Sequence, residues 1–160
     1  MVNNKVFKLI VENTPLISID LCIICDGQIL LGKRLNEPLK GIWFTPGGRI
    51  YKNESWQSAL KRICLSELGL NIEALSAFTL MGVWDHFYPN SVFGSSTSTH
   101  YVNLPHVAKY SSKPEIKGDC QHEKFAWFDF DEVSRSDEFN KYTKIYVNYI
   151  ATREAQFESN

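Results

Sequence analysis

The stretch Gly47–Leu70, GGRIYKNESWQSALKRICLSELGL, restricts the possible folds more than any other part of the chain. A glycine pair lets the backbone approach a ligand closely and frees carbonyls to act as ligands. Residues 54–68 follow with a helical pattern, and Gly69 is a natural helix stop. At about 100° per residue from Trp56, Ala59, Leu60 and Ile63 fall within about 60° of it and form an apolar stripe. Glu67 falls at about 20°, inside that stripe. A carboxylate there is costly to bury unless it is paired or holds a cation. The other reading is that Glu67, in the last turn, bends out to solvent. Glu54 opens the helical pattern and suits the positive end of the helix dipole.

The flanking sequence supplies mostly strands. NNKVFKLIVENTP predicts a short amphipathic helix, capped by Asn3 or Asn4 and stopped by Pro15. LISIDLCII and QILLGKR, joined by Asp26-Gly27, predict a hairpin with a tight turn. IWFTP is a short strand running into the glycines. LSAFTLMGVWDHFYP is one long strand, or two with a bulge at Gly82. PNSVFGSSTST is a polar loop of the kind that closes over sites. HYVNLPHVAKY and HEKFAWFDF are further strands, and residues 137–157 are mostly helix. This order predicts an α+β fold in a single domain spanning residues 1–160.

Composition closes off several function classes. With 17 Lys and Arg against 18 Asp and Glu, the chain has no field for broad nucleic-acid binding. An anionic ligand must therefore be met by a local basic cluster. Cys22 and Cys25 form a CxxC, but on a strand they point to opposite faces and do not jointly grip a metal. With Cys64 and Cys120 they read as unpaired thiols, which points to a reducing cytoplasm. The first apolar stretch, VFKLIV, is short and contains Lys8, so no signal peptide is expected. No run approaches membrane-spanning length.

Gly48, Glu54, Arg62 and the run Glu67-Leu68-Gly69-Leu70 have a spacing that resembles the Nudix box, Gx5Ex7REUxEExGU, where U is bulky and aliphatic. The resemblance implies a Nudix-type α/β/α sandwich with a mixed central β-sheet. It also implies a divalent metal and a substrate in which a nucleoside diphosphate is linked to another group. The chain departs from the box in three places: Ile63 and Ser66 replace two glutamates, and Cys64 takes the aliphatic slot. With Glu67 as the one carboxylate left in that half, one Mg²⁺ is the reasonable load. A carboxylate base for attack at phosphorus is missing as well.

Further stretches are similar to one branch of that family, the GDP-mannose mannosyl hydrolases (GDP-mannose glycosyl hydrolases). They are TPLISIDL, LLGKR, GIWFTPGGRI, GVWDHFY, THYV and the Gln-His of CQHEKFAW, all in order. This resemblance implies Mg²⁺-dependent hydrolysis of GDP-mannose, and of GDP-glucose, to GDP and free sugar. Water would attack the anomeric carbon with inversion. His122 is assigned as general base, which suits the ordinary histidine pKa near 6.5; a surface side chain is its bland reading. Gln121 is assigned to the metal, beside Glu67 and the carbonyl of Gly48 or Gly47.

Arg34, Arg49 and Arg62 are the candidates to meet phosphate, although Arg62 equally suits a partner of a helix carboxylate. Tyr101 either donates to the leaving phosphate or is a half-buried strand tyrosine. Asp20, alone in an apolar run, orients the hexose with His86 or joins an internal salt bridge. Phe7 and the aromatic DHFYP segment stack on guanine or pack in the core. A homodimer is implied, with no nucleic-acid or membrane partner. Two other readings stay open: an ordinary Nudix pyrophosphatase yielding a nucleoside monophosphate and sugar 1-phosphate, and a non-catalytic nucleotide-sugar binder.

Overall fold

The computed structural model describes residues 3–118 and 122–157. Its centre is β1 (Leu16–Cys25), buried at every position except Ile17. The strand turns at Asp26 and Gly27, whose φ angles of 49° and 72° are those of a primed hairpin turn. It then pairs antiparallel with β2 (Gln28–Arg34). Strand β3 (Trp43–Phe44) pairs antiparallel with the end of β2, and β4 (Gly47–Arg49) pairs antiparallel with the first half of β1. On its other side β1 meets two strands in parallel: β7 (Thr99–Asn103) along its first half and β8 (His106–Lys109) along its second. β5 (Thr79–Leu80) adds to β8, β6 (Trp84–Tyr88) to β7, and β9 (His122–Asp129) to β2. The sheet is therefore mixed, as expected.

Helices cover both faces, because β1 and β2 are apolar on both. Ile19, Leu21, Ile23 and Leu30 pack with Ala59, Leu60, Ile63 and Leu68 of α2 (Trp56–Leu68). Cys22, Ile24, Ile29 and Leu31 pack on the opposite face with α3 (Phe130–Arg135) and α4 (Lys141–Ala151), through residues such as Val133, Tyr146 and Ile150. The architecture is an α/β/α sandwich. The amphipathic α1 (Asn4–Asn13) is capped by the Asn3 side chain, which accepts from the Lys5 N–H at 2.9 Å. Among the described residues no helix is long and apolar enough to cross a membrane.

Several elements differ from the sequence expectation for local reasons. The long strand around Gly82 is two strands that join different neighbours, β8 and β7, with Gly82 at φ 149° between them. HYVNLPHVAKY is likewise two strands, since Pro105 has no N–H to continue a ladder. The C-terminal helical region divides into α3, which begins earlier than expected, and α4. The central helix starts at Trp56, not at residue 54. Ser55 caps it, its hydroxyl accepting from the Ser58 N–H at 3.2 Å. Glu54 lies outside the helix and pairs with Arg62 instead of serving the dipole. Replacing Ser55 with Ala should cost about 1 kcal/mol, read as a lower midpoint in urea unfolding with an unchanged slope.

Candidate active site

The helix that carries Glu67 lies against β4 through Arg62 and Ile63, and residues of both line a cavity of about 310 Å³, a volume within the usual range for small-molecule sites. Glu67 faces inward as the stripe required, with 4% of its surface exposed. Phe7, Asp20, Arg34, Gly47, Gly48 and Arg49 line the same cavity. So do Arg62, His86 and Tyr101. Residues separated by most of the chain thus meet at one place. Gln121 lies outside the described residues. His122 is described but does not line the cavity. Its ring is buried behind Glu67, with Nδ1 3.7 Å from the Glu67 Oε2, and packs against Phe125. A Cβ on Gly32 would collide with that ring, so the bare glycine in β2 makes room for it.

Strand pairing decides how the glycine carbonyls point. The Leu21 N–H donates to the Pro46 carbonyl at 2.7 Å, and the Ile50 N–H to the Ile17 carbonyl at 3.0 Å. Between these bonds Ile19 opposes Gly48, which makes that pair the hydrogen-bonded one of the ladder. The Gly48 carbonyl is therefore turned toward β1. The Gly47 carbonyl points the other way, on the side where the Arg49 carbonyl accepts from Arg62 Nη2 at 2.8 Å. Of the two alternatives, Gly47 and not Gly48 has the carbonyl clear of the ladder. Gly47 is also obligatory for space, because a Cβ would lie 2.6 Å from Asp20 Oδ1.

The arginines differ in their commitments. Arg62 donates through Nε and Nη2 to the two oxygens of Glu54, at 2.7 and 2.8 Å. Hydrogen bonding to Arg62 holds the Glu54 carboxyl below its ordinary range. The partner of a helix carboxylate foreseen for Arg62 is thus present, although the carboxylate precedes the helix. Arg34 gives its Nε to the Pro38 carbonyl at 2.9 Å. Arg49 lies over the Phe7 ring at 4.1 Å, a cation–π contact that occupies one face of that ring. Burial pushes the Tyr101 phenol up, with Arg49 and Arg34 opposing, so its hydroxyl keeps a proton to donate.

The floor of the cavity is a polar cluster within the α4 side of the core. Asp20 accepts from the Tyr146 hydroxyl at 2.9 Å, and the same hydroxyl lies 2.9 Å from His86 Nε2. Burial raises the Asp20 pKa to about 6, against hydrogen bonds from Asn103 and Tyr146 and the charge of Arg34. Asp20 therefore has hydrogen-bond partners where an internal salt bridge had been one alternative. Burial lowers His86 to about 4, leaving the ring neutral at neutral pH. Sequence reasoning missed Tyr146, which reads as part of the apolar pattern of α4; only the acid at Asp20 signalled that a partner had to exist. Tyr88 belongs to the DHFYP segment expected to stack on guanine or pack in the core, but its hydroxyl lies 3.3 Å from His86 Nδ1.

A divalent cation suits the donors on this wall. They are hard oxygens: one buried carboxylate from Glu67 and the off-ladder carbonyl of Gly47. Among the described residues no group of three or more His, Cys, Asp and Glu side chains gathers as a metal site. The remaining ligands would come from substrate and water, as is common for Mg²⁺.

The depressed His86 pKa has a consequence for stability. The unfolded chain takes up this proton near the ordinary value of 6.5 and the folded chain only near 4. The wild type therefore loses stability as pH falls through that window, by up to about 3 kcal/mol. His86→Gln should lose correspondingly less between pH 7 and pH 4, measured by urea unfolding of both proteins across that range.

Comparison with known proteins agrees with the architecture. A NUDIX domain profile matches residues 16–149. The chain is 43% identical over 96 residues to the low-salt glycan biosynthesis protein Agl8 of Haloferax volcanii. That match spans 60% of this chain and 60% of that protein. A solved structure of a MutT NUDIX hydrolase from Burkholderia pseudomallei superposes with a TM-score of 0.68 at 29% identity, covering 86% of this chain and 99% of that one. A bifunctional NMN adenylyltransferase/ADP ribose pyrophosphatase from Francisella tularensis, solved with AMP and a manganese ion, shares the fold. Its TM-score is 0.61 at 20% identity, with 87% of this chain and 42% of that chain covered.

Proposed function

Because the chain belongs to the NUDIX family, whose members hydrolyse nucleotide diphosphate substrates, we propose that it hydrolyses a nucleotide sugar, GDP-mannose or GDP-glucose, to GDP and free hexose. Water attacks the anomeric carbon in this reading. The observation that carries it is the chemistry of α2: Glu67 is its one inward carboxylate, and the position of a box glutamate is filled by the fully buried Ile63. A helix so built lacks the carboxylates for a multi-metal attack at phosphorus. Glu67, the Gly47 carbonyl and Gln121 would hold a single Mg²⁺, which would supply charge neutralisation for the departing diphosphate. Arg34, Arg49 and the Tyr101 hydroxyl meet the same charge from the protein side. The glycan biosynthesis role named for the Haloferax relative is in keeping with a sugar-nucleotide substrate. A single domain, a homodimer and a cytoplasmic setting belong to the same proposal.

Cleavage at phosphorus is the second reading. It is favoured by the solved relatives, one of which is named as an ADP ribose pyrophosphatase. Hydrolysis of GDP-mannose in ¹⁸O-water with Mg²⁺ separates the two. The expected result is label in mannose. Label in a phosphate of the products would establish the second reading, and absence of turnover would leave a nucleotide-sugar binder.

His122 is the base in the first reading. It stands 3.7 Å from Glu67 and outside the cavity lining, which equally suits a residue that orients Glu67. His122→Ala should lower kcat by two or more orders of magnitude, about the usual contribution of a general base, with Mg²⁺ affinity preserved. Weaker Mg²⁺ binding with kcat restored at saturating metal would instead assign His122 to positioning Glu67.

A further inference from the structure

The Tyr146 hydroxyl has one proton and three polar neighbours. They are Asp20 Oδ2 at 2.9 Å, His86 Nε2 at 2.9 Å and Asn103 Oδ1 at 3.2 Å. The two oxygens only accept. The carboxylate is charged and nearer than the amide, so it takes the phenol proton. The phenol oxygen is then left to accept, and His86 is the neighbour on that side with a proton to give. His86 is therefore protonated at Nε2. A neutral imidazole carries one N–H, so Nδ1 presents a lone pair. The Tyr88 hydroxyl lies 3.3 Å from Nδ1 and must donate to it. Having given its proton inward, the Tyr88 oxygen offers lone pairs to the cavity that it lines.

The imidazole is also held in plane. Tyr142 stacks on it at 3.8 Å with 17° between the rings. The Tyr142 hydroxyl bonds to the Phe87 backbone, accepting from its N–H at 2.7 Å and donating to its carbonyl at 3.3 Å, so it does not compete for the ring nitrogens. His86 and Tyr146 are almost completely buried, at 1% and 0% exposure, which leaves water little room to rewrite the order.

We propose that Tyr146 is a positioning residue that fixes the His86 tautomer, and that this makes Tyr88 a specificity-determining acceptor for one hydroxyl of the bound sugar. The proposal rests on reading the cavity as a nucleotide-sugar site. Proton order runs from Tyr88 through His86 and Tyr146 to Asp20. A ligand group beside Tyr88 must then be a donor. A sugar hydroxyl satisfies this, whereas a phosphate oxygen, which only accepts, is turned away. Tyr146 reaches the ligand only through His86 and Tyr88.

Nitrogen NMR of the protein with isotope-labelled histidine reads the tautomer without any substrate. At mildly alkaline pH, wild type should show His86 with a protonated Nε2 and a bare Nδ1, and Tyr146→Phe should lose that preference. A wild-type ring protonated at Nδ1, or an unchanged tautomer in Tyr146→Phe, overturns the proposal. The wild-type spectrum decides even if the variant fails to fold. Kinetics test the second half. On GDP-mannose, Tyr88→Phe should lose about tenfold in kcat/KM, the scale of one hydrogen bond. Across the monodeoxy sugar analogues, one should show no difference between Tyr88→Phe and wild type, because the hydroxyl read by Tyr88 is gone. An equal loss on every analogue overturns the role of Tyr88. If wild type turns over no GDP-sugar, the hydrolase reading fails, while the nitrogen spectra still decide the tautomer.

Discussion

Strand β1 leaves almost no face for water, and the rest of the molecule is arranged around that fact. It is flanked along its length by four strands, β4 and β2 on one side and β7 and β8 on the other. Above and below lie α2 and α4. A polar side chain survives in such a strand only where partners are built for it. Asp20 has them in Tyr146 and Asn103, on α4 and β7. The same side chain sets the neighbouring loop, since Gly47 must lack a Cβ to lie against it. One buried acid thus ties the glycine pair, the cavity floor and the far helix into one unit.

Much of this was legible because it depends on local rules. The Asp26-Gly27 turn, the Asn3 cap and the stop at Gly69 each follow from one or two residues. The inward direction of Glu67 follows from helical period alone. Where a choice depended on distant partners, the pattern was silent. No periodicity reveals that two consecutive strand segments join different neighbours, as β5 and β6 do. Tyr146 reads as one more apolar residue on the buried face of α4, although its hydroxyl reaches an acid 126 positions away. The ring of His122 was legible as a candidate base, but not its place behind Glu67. That depends on a glycine in another strand, Gly32.

The charges around the cavity bear on which ligand it can hold. Three guanidinium groups line it, but Arg62 is balanced by both oxygens of Glu54. Attraction for an anion therefore falls to Arg34 and Arg49. Opposing them on the lining are Asp20 and Glu67, both buried, and the partly exposed Glu37. Glu67 in particular would repel a diphosphate laid along α2 in a medium of low dielectric. It can face such a group only across a cation, whose charge reverses the sign of the contact. Asp20 lies at the floor among phenols, imidazole and amide, where a neutral group with hydroxyls meets no such repulsion. The field of the cavity is thus divided, with anionic ligand atoms favoured near Arg34, Arg49 and a metal-bearing Glu67, and uncharged polar ones near Asp20. A substrate that joins a diphosphate to a sugar has this same division along its length.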